Sequence, residues 1–266
     1  MKKFDKSQLM PERFVKSQRM HRDVLAHHLR WTHLARHWQH WKVVFDVGCG
    51  RGCPLAWALY TNRVAPELYV GLDIRSFVPN AQRDDKAYPQ SVTNWLRKEG
   101  EIPDKDWMCV WDRTSIVNFF TAQNVQQTYG PADVVVCFEL LEHMSKELGI
   151  ELLKCLHTLC LTYKDREPVD LFLSTPVFNG RKAKHHIYEW EYVELEDELL
   201  RQGFIVINSW GTFASQRDIL PAMSHPEIKL FYKLKDYYSS DVLSILFAPL
   251  HAPQSRNVLW HLQKRR

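Results

Sequence analysis

Two short strings hold side chains that could do chemistry. The first is Phe138-Glu-Leu-Leu-Glu-His-Met144, with Glu139, Glu142 and His143 spaced i, i+3 and i+4, following the apolar run Val134-Val-Val-Cys137. On a helix, that spacing gathers all three on one face. The second is His185-His-Ile-Tyr-Glu-Trp190. Carboxylates and imidazoles in this number suit either of two tasks. They can hold a divalent ion through mixed oxygen and nitrogen donors, which favours Mn²⁺, Fe²⁺ or Co²⁺ and tolerates Mg²⁺. Without an ion, His143 or His186 can act as a general base.

A third string, Asp46-Val-Gly-Cys-Gly-Arg-Gly52, has glycines at 48, 50 and 52. It permits a tight turn and close backbone approach of a ligand. Asp73 lies 21 residues beyond Gly52 and ends the next apolar run, where an acid can accept from both ribose hydroxyls. The spacing is GxGxG rather than the GxGxxG of dinucleotide binding. Asp46, two residues before the first glycine, would repel a diphosphate and suits a cationic amino group. A nicotinamide-dependent oxidoreductase is the reading this disfavours.

These strings need a scaffold. Short apolar runs at 43–47, 68–72, 108–111, 132–138, 171–174, 204–208 and 257–262 read as strands. Helical patterns at 21–41, 54–63, 79–99, 114–127, about 139–161 and 189–202 alternate with them. Leu25, Leu29, Leu34 and Trp38 mark the first helix. Leu141, Met144, Leu148 and Leu152 mark the one after the fourth strand, and Gly203 closes the last. Alternation of this kind predicts a doubly wound, mostly parallel, seven-stranded α/β sheet, with functional loops at the carboxyl ends of the strands. Residues 214–250 break the rhythm as an irregular, partly helical insertion.

Composition narrows the classes. The chain has 266 residues with 45% hydrophobic content, enough for a sizeable core. It has no apolar run long enough to span a membrane and no signal-peptide pattern, so a cytoplasmic location is expected. The six cysteines form no CxxC pair, which argues for reduced thiols and against a zinc ribbon. Residues 1–42 carry ten Lys/Arg against three acids, which leaves a negative balance in the rest of a chain whose net charge is +4. Such a basic, helical N-terminal arm suits a polyanionic partner or a solvated helix face. His33 and His37 have i, i+4 spacing but no acid near them, which favours an exposed helix face. Tyr188 and Trp190 suit base stacking or core packing equally.

Asp46 to Gly52, Asp73 and Asp112 together resemble the class I S-adenosylmethionine (SAM) methyltransferases, over roughly residues 40–210 plus the last strand. The resemblance implies a Rossmann-like domain over 43–266, with SAM contacted by Asp46, Gly48, Cys49, Gly50, Gly52, Asp73, Ile74, Asp112, Arg113 and Phe138. Glu139-x-x-Glu142-His143, with Ser174-Thr-Pro and His186-Ile-Tyr-Glu-Trp190, is similar to the small-RNA 3′-end 2′-O-methyltransferases. That similarity implies a divalent ion held by Glu139, Glu142, His143 and His186, with His185 as a substitute, and O-methylation of a nucleic-acid or nucleotide-like hydroxyl. The first three also resemble the metal motif of ubiquinone-pathway O-methyltransferases. The segments 23–31 and 247–260 look like phage-type methyltransferases. A metal-free small-molecule methyltransferase and a non-catalytic SAM-fold subunit are the competing expectations. The sequence leaves the oligomeric state open.

Overall fold

A computed structural model describes residues 22–38, 41–50, 54–61, 64, 66–74, 108–112, 119–160 and 167–265. The strands are β1 (Val43–Val47), β2 (Leu68–Leu72), β3 (Met108–Asp112), β4 (Val134–Phe138), β5 (Asp170–Pro176), β6 (Phe204–Phe213) and β7 (Asn257–Lys264). They form one sheet in the order β3-β2-β1-β4-β5-β7-β6. The first five run parallel, and β7 enters antiparallel between β5 and β6. The doubly wound α/β expectation is met.

Alternation along the strands explains the two layers, because successive side chains point to opposite faces. Phe45, Val70, Val135, Cys137, Leu171 and Leu173 face one core. It is covered by α3 (Phe119–Tyr129), α4 (Lys146–Leu159) and α5 (Tyr192–Arg201). Val44, Tyr69, Val134, Val136 and Phe172 face the other, beneath α1 (Arg22–Arg36) and α2 (Pro54–Thr61). Strands covered on both faces read as nearly continuous apolar runs, which is why they were visible in the sequence.

Three expectations need correction. The buried stripe of α1 is Ala26, Arg30 and Leu34, with Leu25 and Leu29 at its margin. The segment after β4 is not one helix. Leu141–His143 make a single 3₁₀ turn, the chain is extended at Met144, and α4 begins only at Lys146, capped by the Ser145 side chain accepting from the Leu148 amide. Leu148 is therefore exposed rather than buried. β6 runs on to Phe213 before the insertion, which is ordered as α6 (Gln216–Ile219), α7 (His225–Leu234) and α8 (Ser240–Phe247) around a small core of its own containing Ile219, Phe231, Leu243 and Phe247. No helix among the described residues is long and apolar enough to cross a membrane. The expected helix over 79–99 lies outside the described residues.

Candidate functional site

The carboxyl ends of β1, β2 and β3 are in register, with Val47 opposite Leu72 and Leu72 opposite Asp112. That register brings the glycine turn, Asp73 and Asp112 together on one rim. Gly48 and Gly50 have φ of +74° and +69°, the left-handed region that suits glycine. The amides of Gly48 and Cys49 donate to Leu72 O at 2.7 and 3.3 Å, and the Gly50 amide donates to Asp73 Oδ2 at 2.9 Å. The turn is thus tied to the acid beside it. Among the described residues, a Cβ placed on Gly50 would meet nothing within 4 Å. A Cβ on Gly48 would come within 2.8 Å of Leu140 Cδ2.

Asp46 is buried and accepts from the Tyr69 hydroxyl. Burial raises its pKa to about 7, helped by Asp73 and opposed by the Tyr69 hydrogen bond. Cys49 is buried, Phe138 is half-buried, and Ile74 is 64% exposed at the rim. Gly52 and Arg113 lie outside the described residues, as does the Asp112 side chain. Asp46, buried against Tyr69, does not face the rim as the sequence suggests, and the glycine turn with Asp73 is the part of the rim that suits close approach of a ribose-bearing ligand.

The second string lines a cleft of about 640 Å³ bounded by α1, the turn after β4 and the 176–189 segment. Glu139 follows β4 with φ of +54°, the one described non-glycine residue in the left-handed region. Its carboxylate accepts from Ser174 Oγ at 2.9 Å and from Asn257 Nδ2 at 2.9 and 3.0 Å, with Arg30 Nη1 3.5 Å away. Burial acts to raise its pKa, but Arg30, Asn257 and Ser174 together hold it below the usual carboxylate range. Glu142 is 1% exposed and accepts from Thr175 Oγ1 at 3.3 Å. Burial, reinforced by the charge of Glu139, pushes its pKa well up.

His143 Nε2 lies 3.8 Å from Glu142 Oε1, and the His143 and His186 rings meet edge to face with centroids 5.5 Å apart. The 183–189 loop that carries His186 docks through the Ile187 amide, which donates to Glu142 O at 2.8 Å. Glu189, buried beneath it, accepts from the Ala183 amide and stands against His186 Nδ1. Arg181, Lys182 and His185 sit exposed around the mouth.

The four expected metal donors therefore share one cleft but do not close round one point. Among the described residues no group of three or more His, Cys, Asp or Glu side chains could hold a metal ion. The helical face meant to gather them is absent, and Glu139 turns to Arg30 and Asn257.

Other expectations resolve simply. His33 and His37 stack on each other at 4.0 Å, and His33 also packs on Trp210 at 4.1 Å. Trp190 is fully buried and belongs to the core, whereas Tyr188 donates to Glu194 at 2.6 Å. Cys137 is buried, and burial raises its pKa well above the usual thiol range, so it is inert. Arg30, Asn257, Thr175 and Glu189 are the site residues to which the sequence reading gave no such place. Thr175 and Glu189 carried a local signal, as members of the Ser174-Thr-Pro and His186-Ile-Tyr-Glu-Trp190 strings.

No protein-family model matches the chain, and neither does any curated protein. Among solved structures it is similar to the small RNA methyltransferase HEN1, with 17% identity and a TM-score of 0.56 over 93% of this chain and 26% of that one. The chain thus spans about a quarter of HEN1. It is similar to the 1,6-didemethyltoxoflavin-N1-methyltransferase of Burkholderia thailandensis, with 14% identity and a TM-score of 0.52 over 96% of this chain and 85% of that one. It is also similar to the methyltransferase domain of bacterial CtHen1-CN, with 15% identity and a TM-score of 0.51 over 90% of this chain and 99% of that one. These likenesses establish a common Rossmann-like fold.

Proposed function

We propose that this chain is a SAM-dependent methyltransferase that methylates an oxygen of a nucleic-acid or nucleotide-like acceptor. The observation that carries the reading is the place of Leu140. It packs directly over Gly48 of the glycine turn, while Glu139 and Glu142 on either side of it floor the cleft. Donor and acceptor positions thereby meet at one rim of the sheet, where ligands of open α/β sheets bind.

SAM would bring an electrophilic methyl carbon on a sulfonium. Asp73 would accept from the ribose hydroxyls, and the Gly50 backbone would let the ligand approach closely. His186, its Nδ1 fixed by Glu189, presents Nε2 as the base. It takes the hydroxyl proton as the acceptor oxygen bonds to the methyl carbon and the carbon–sulfur pair leaves with sulfur. His143 is the second imidazole within reach of the same cleft. The divalent Mg²⁺ or Mn²⁺ assistance implied by the sequence resemblance does not fit the side chains as they stand, and no step is routed through it.

Arg181 and Lys182 at the mouth, the basic N-terminal arm and the likeness to small-RNA enzymes support a phosphate-bearing acceptor. A small-molecule acceptor is the second reading, favoured by the likeness that spans most of the toxoflavin-pathway enzyme. Calorimetry with SAM, followed by labelled-methyl uptake into RNA, DNA, nucleotides and small hydroxylated compounds, tests both. Acceptor affinity that falls steeply with salt favours the nucleic acid. Absence of SAM binding sinks the whole reading.

A further inference from the structure

Glu139 departs furthest from the role its sequence context suggests. A non-glycine residue in the left-handed region is strained and persists only where its surroundings fix it. Here they do. Its amide donates to Ser174 O at 2.9 Å, and its carboxylate takes Ser174 Oγ and Asn257 Nδ2. Behind them stands Arg30, only 1% exposed, whose Nη1 donates to Asn257 Oδ1 at 3.0 Å and Thr212 Oγ1 at 3.3 Å and whose Nη2 lies 2.7 Å from His27 Nδ1.

The Asn257 amide has one workable orientation. Its oxygen receives the guanidinium and the Thr212 hydroxyl, the latter at 2.6 Å, and its nitrogen serves the carboxylate. Reversing it would set donor against donor and acceptor against acceptor. The guanidinium is thus fixed by neighbours other than Glu139, 3.5 Å from a carboxylate it neutralises.

We propose that Arg30 is the resident cation of Glu139, and that this pairing withdraws Glu139 from metal coordination in the cleft. Helix α1 then supplies a fixed positive charge where the E-x-x-E-H string suggests an ion. A divalent ion bonded to Glu139 would have to displace the Asn257 and Ser174 donors and sit beside a buried guanidinium, where Coulomb repulsion is strong. Arg30 is a positioning residue. It holds Glu139, and through it the Leu140–His143 turn, against β5 and β7. This inference builds on the methyltransferase reading but is tested apart from it.

The experiment is Mn²⁺ titration of the full chain, followed by electron paramagnetic resonance and calorimetry, with SAM binding measured in parallel. Glu139→Gln is expected to leave Mn²⁺ affinity unchanged, and Arg30→Met to raise it roughly tenfold by freeing a carboxylate. A roughly tenfold loss in Glu139→Gln, or no gain in a folded Arg30→Met, overturns the proposal. Should Arg30→Met fail to fold, crystals of the unmodified chain soaked in Mn²⁺ decide. An anomalous peak bonded to a Glu139 oxygen overturns the assignment, and Glu139 still on Asn257 and Arg30 with no such bond supports it. Loss of SAM binding in the unmodified chain would instead defeat the methyltransferase reading and leave the Arg30–Glu139 assignment standing.

Discussion

Glu189 Oε1 lies 2.5 Å from His186 Nδ1 and 2.9 Å from the Ala183 amide, so one buried carboxylate fixes both an imidazole and the loop that carries it. An ionised carboxylate only accepts, which places the ring proton on Nδ1 and leaves Nε2 as a base.

Glu189→Gln keeps an oxygen to accept from Nδ1 and from the Ala183 amide but loses the negative charge that would stabilise the imidazolium formed when Nε2 takes a proton. Methyl transfer is expected to fall about 100-fold in kcat with SAM affinity unchanged, and Glu189→Asp is expected to restore part of it. Single-turnover methyl transfer across pH checks this. Wild-type rates in Glu189→Gln would remove His186 from the base role.

Asp73→Ala removes the acceptor for the Gly50 amide and for a ribose. Hydrogen bonds to charged groups contribute roughly 1.5–3 kcal/mol each, so SAM affinity should fall at least about tenfold. Calorimetry measures it, and an unchanged Kd would move the donor site elsewhere.

Gly48→Ala combines a left-handed φ with a Cβ 2.8 Å from Leu140 Cδ2. A stability loss of about 1–3 kcal/mol is expected, with weaker SAM binding, in thermal melts and calorimetry. Leu140→Ala in the same chain should recover only the steric part, because the backbone strain remains.

Asp46 gives a pH signature. Its folded pKa of about 7 stands above the ordinary value of 3.8. Between those values the folded chain keeps a proton that the unfolded chain releases. Its contribution is therefore fully present below pH 3.8 and declines as pH rises through 7, by up to about 1.4 kcal/mol per pH unit. His27 and His33, both held near 4 chiefly by burial, act oppositely, losing stability as pH falls from 6.5 towards 4. A difference measurement separates them. The melting temperature of Asp46→Asn relative to the unmodified chain should rise from pH 5 to 7.5. A flat difference would mean that Asp46 is ionised in the folded state throughout.

The sheet was legible because strands covered on both faces are apolar throughout, and the glycine turn because its geometry needs glycine at fixed places. The turn after β4 was misread. Glu139, Glu142 and His143 keep helical spacing in a stretch that is not helical, and the N-cap signal at Ser145 was passed over. The Arg30 network left no local trace. Its partners Thr212 and Asn257 are 182 and 227 residues away, so the sequence could place Arg30 over the sheet rim but could not pair it with Glu139. Ser174 and Thr175 were noticed as part of a string, yet their work, holding Glu139 and Glu142, depends on β5 lying beside β4.

Asn257 is the first residue of β7, and among the described residues β6 pairs only with that strand. The glycine turn and the acids beside it come from residues 46–112, on β1, β2 and β3. The amide that orients Arg30 and Glu139 reaches them from the other side of β5. Fraying of β7 would therefore release β6 and unseat the Glu139 carboxylate together, while leaving the pairing of β1 with β2 beneath the glycine turn untouched.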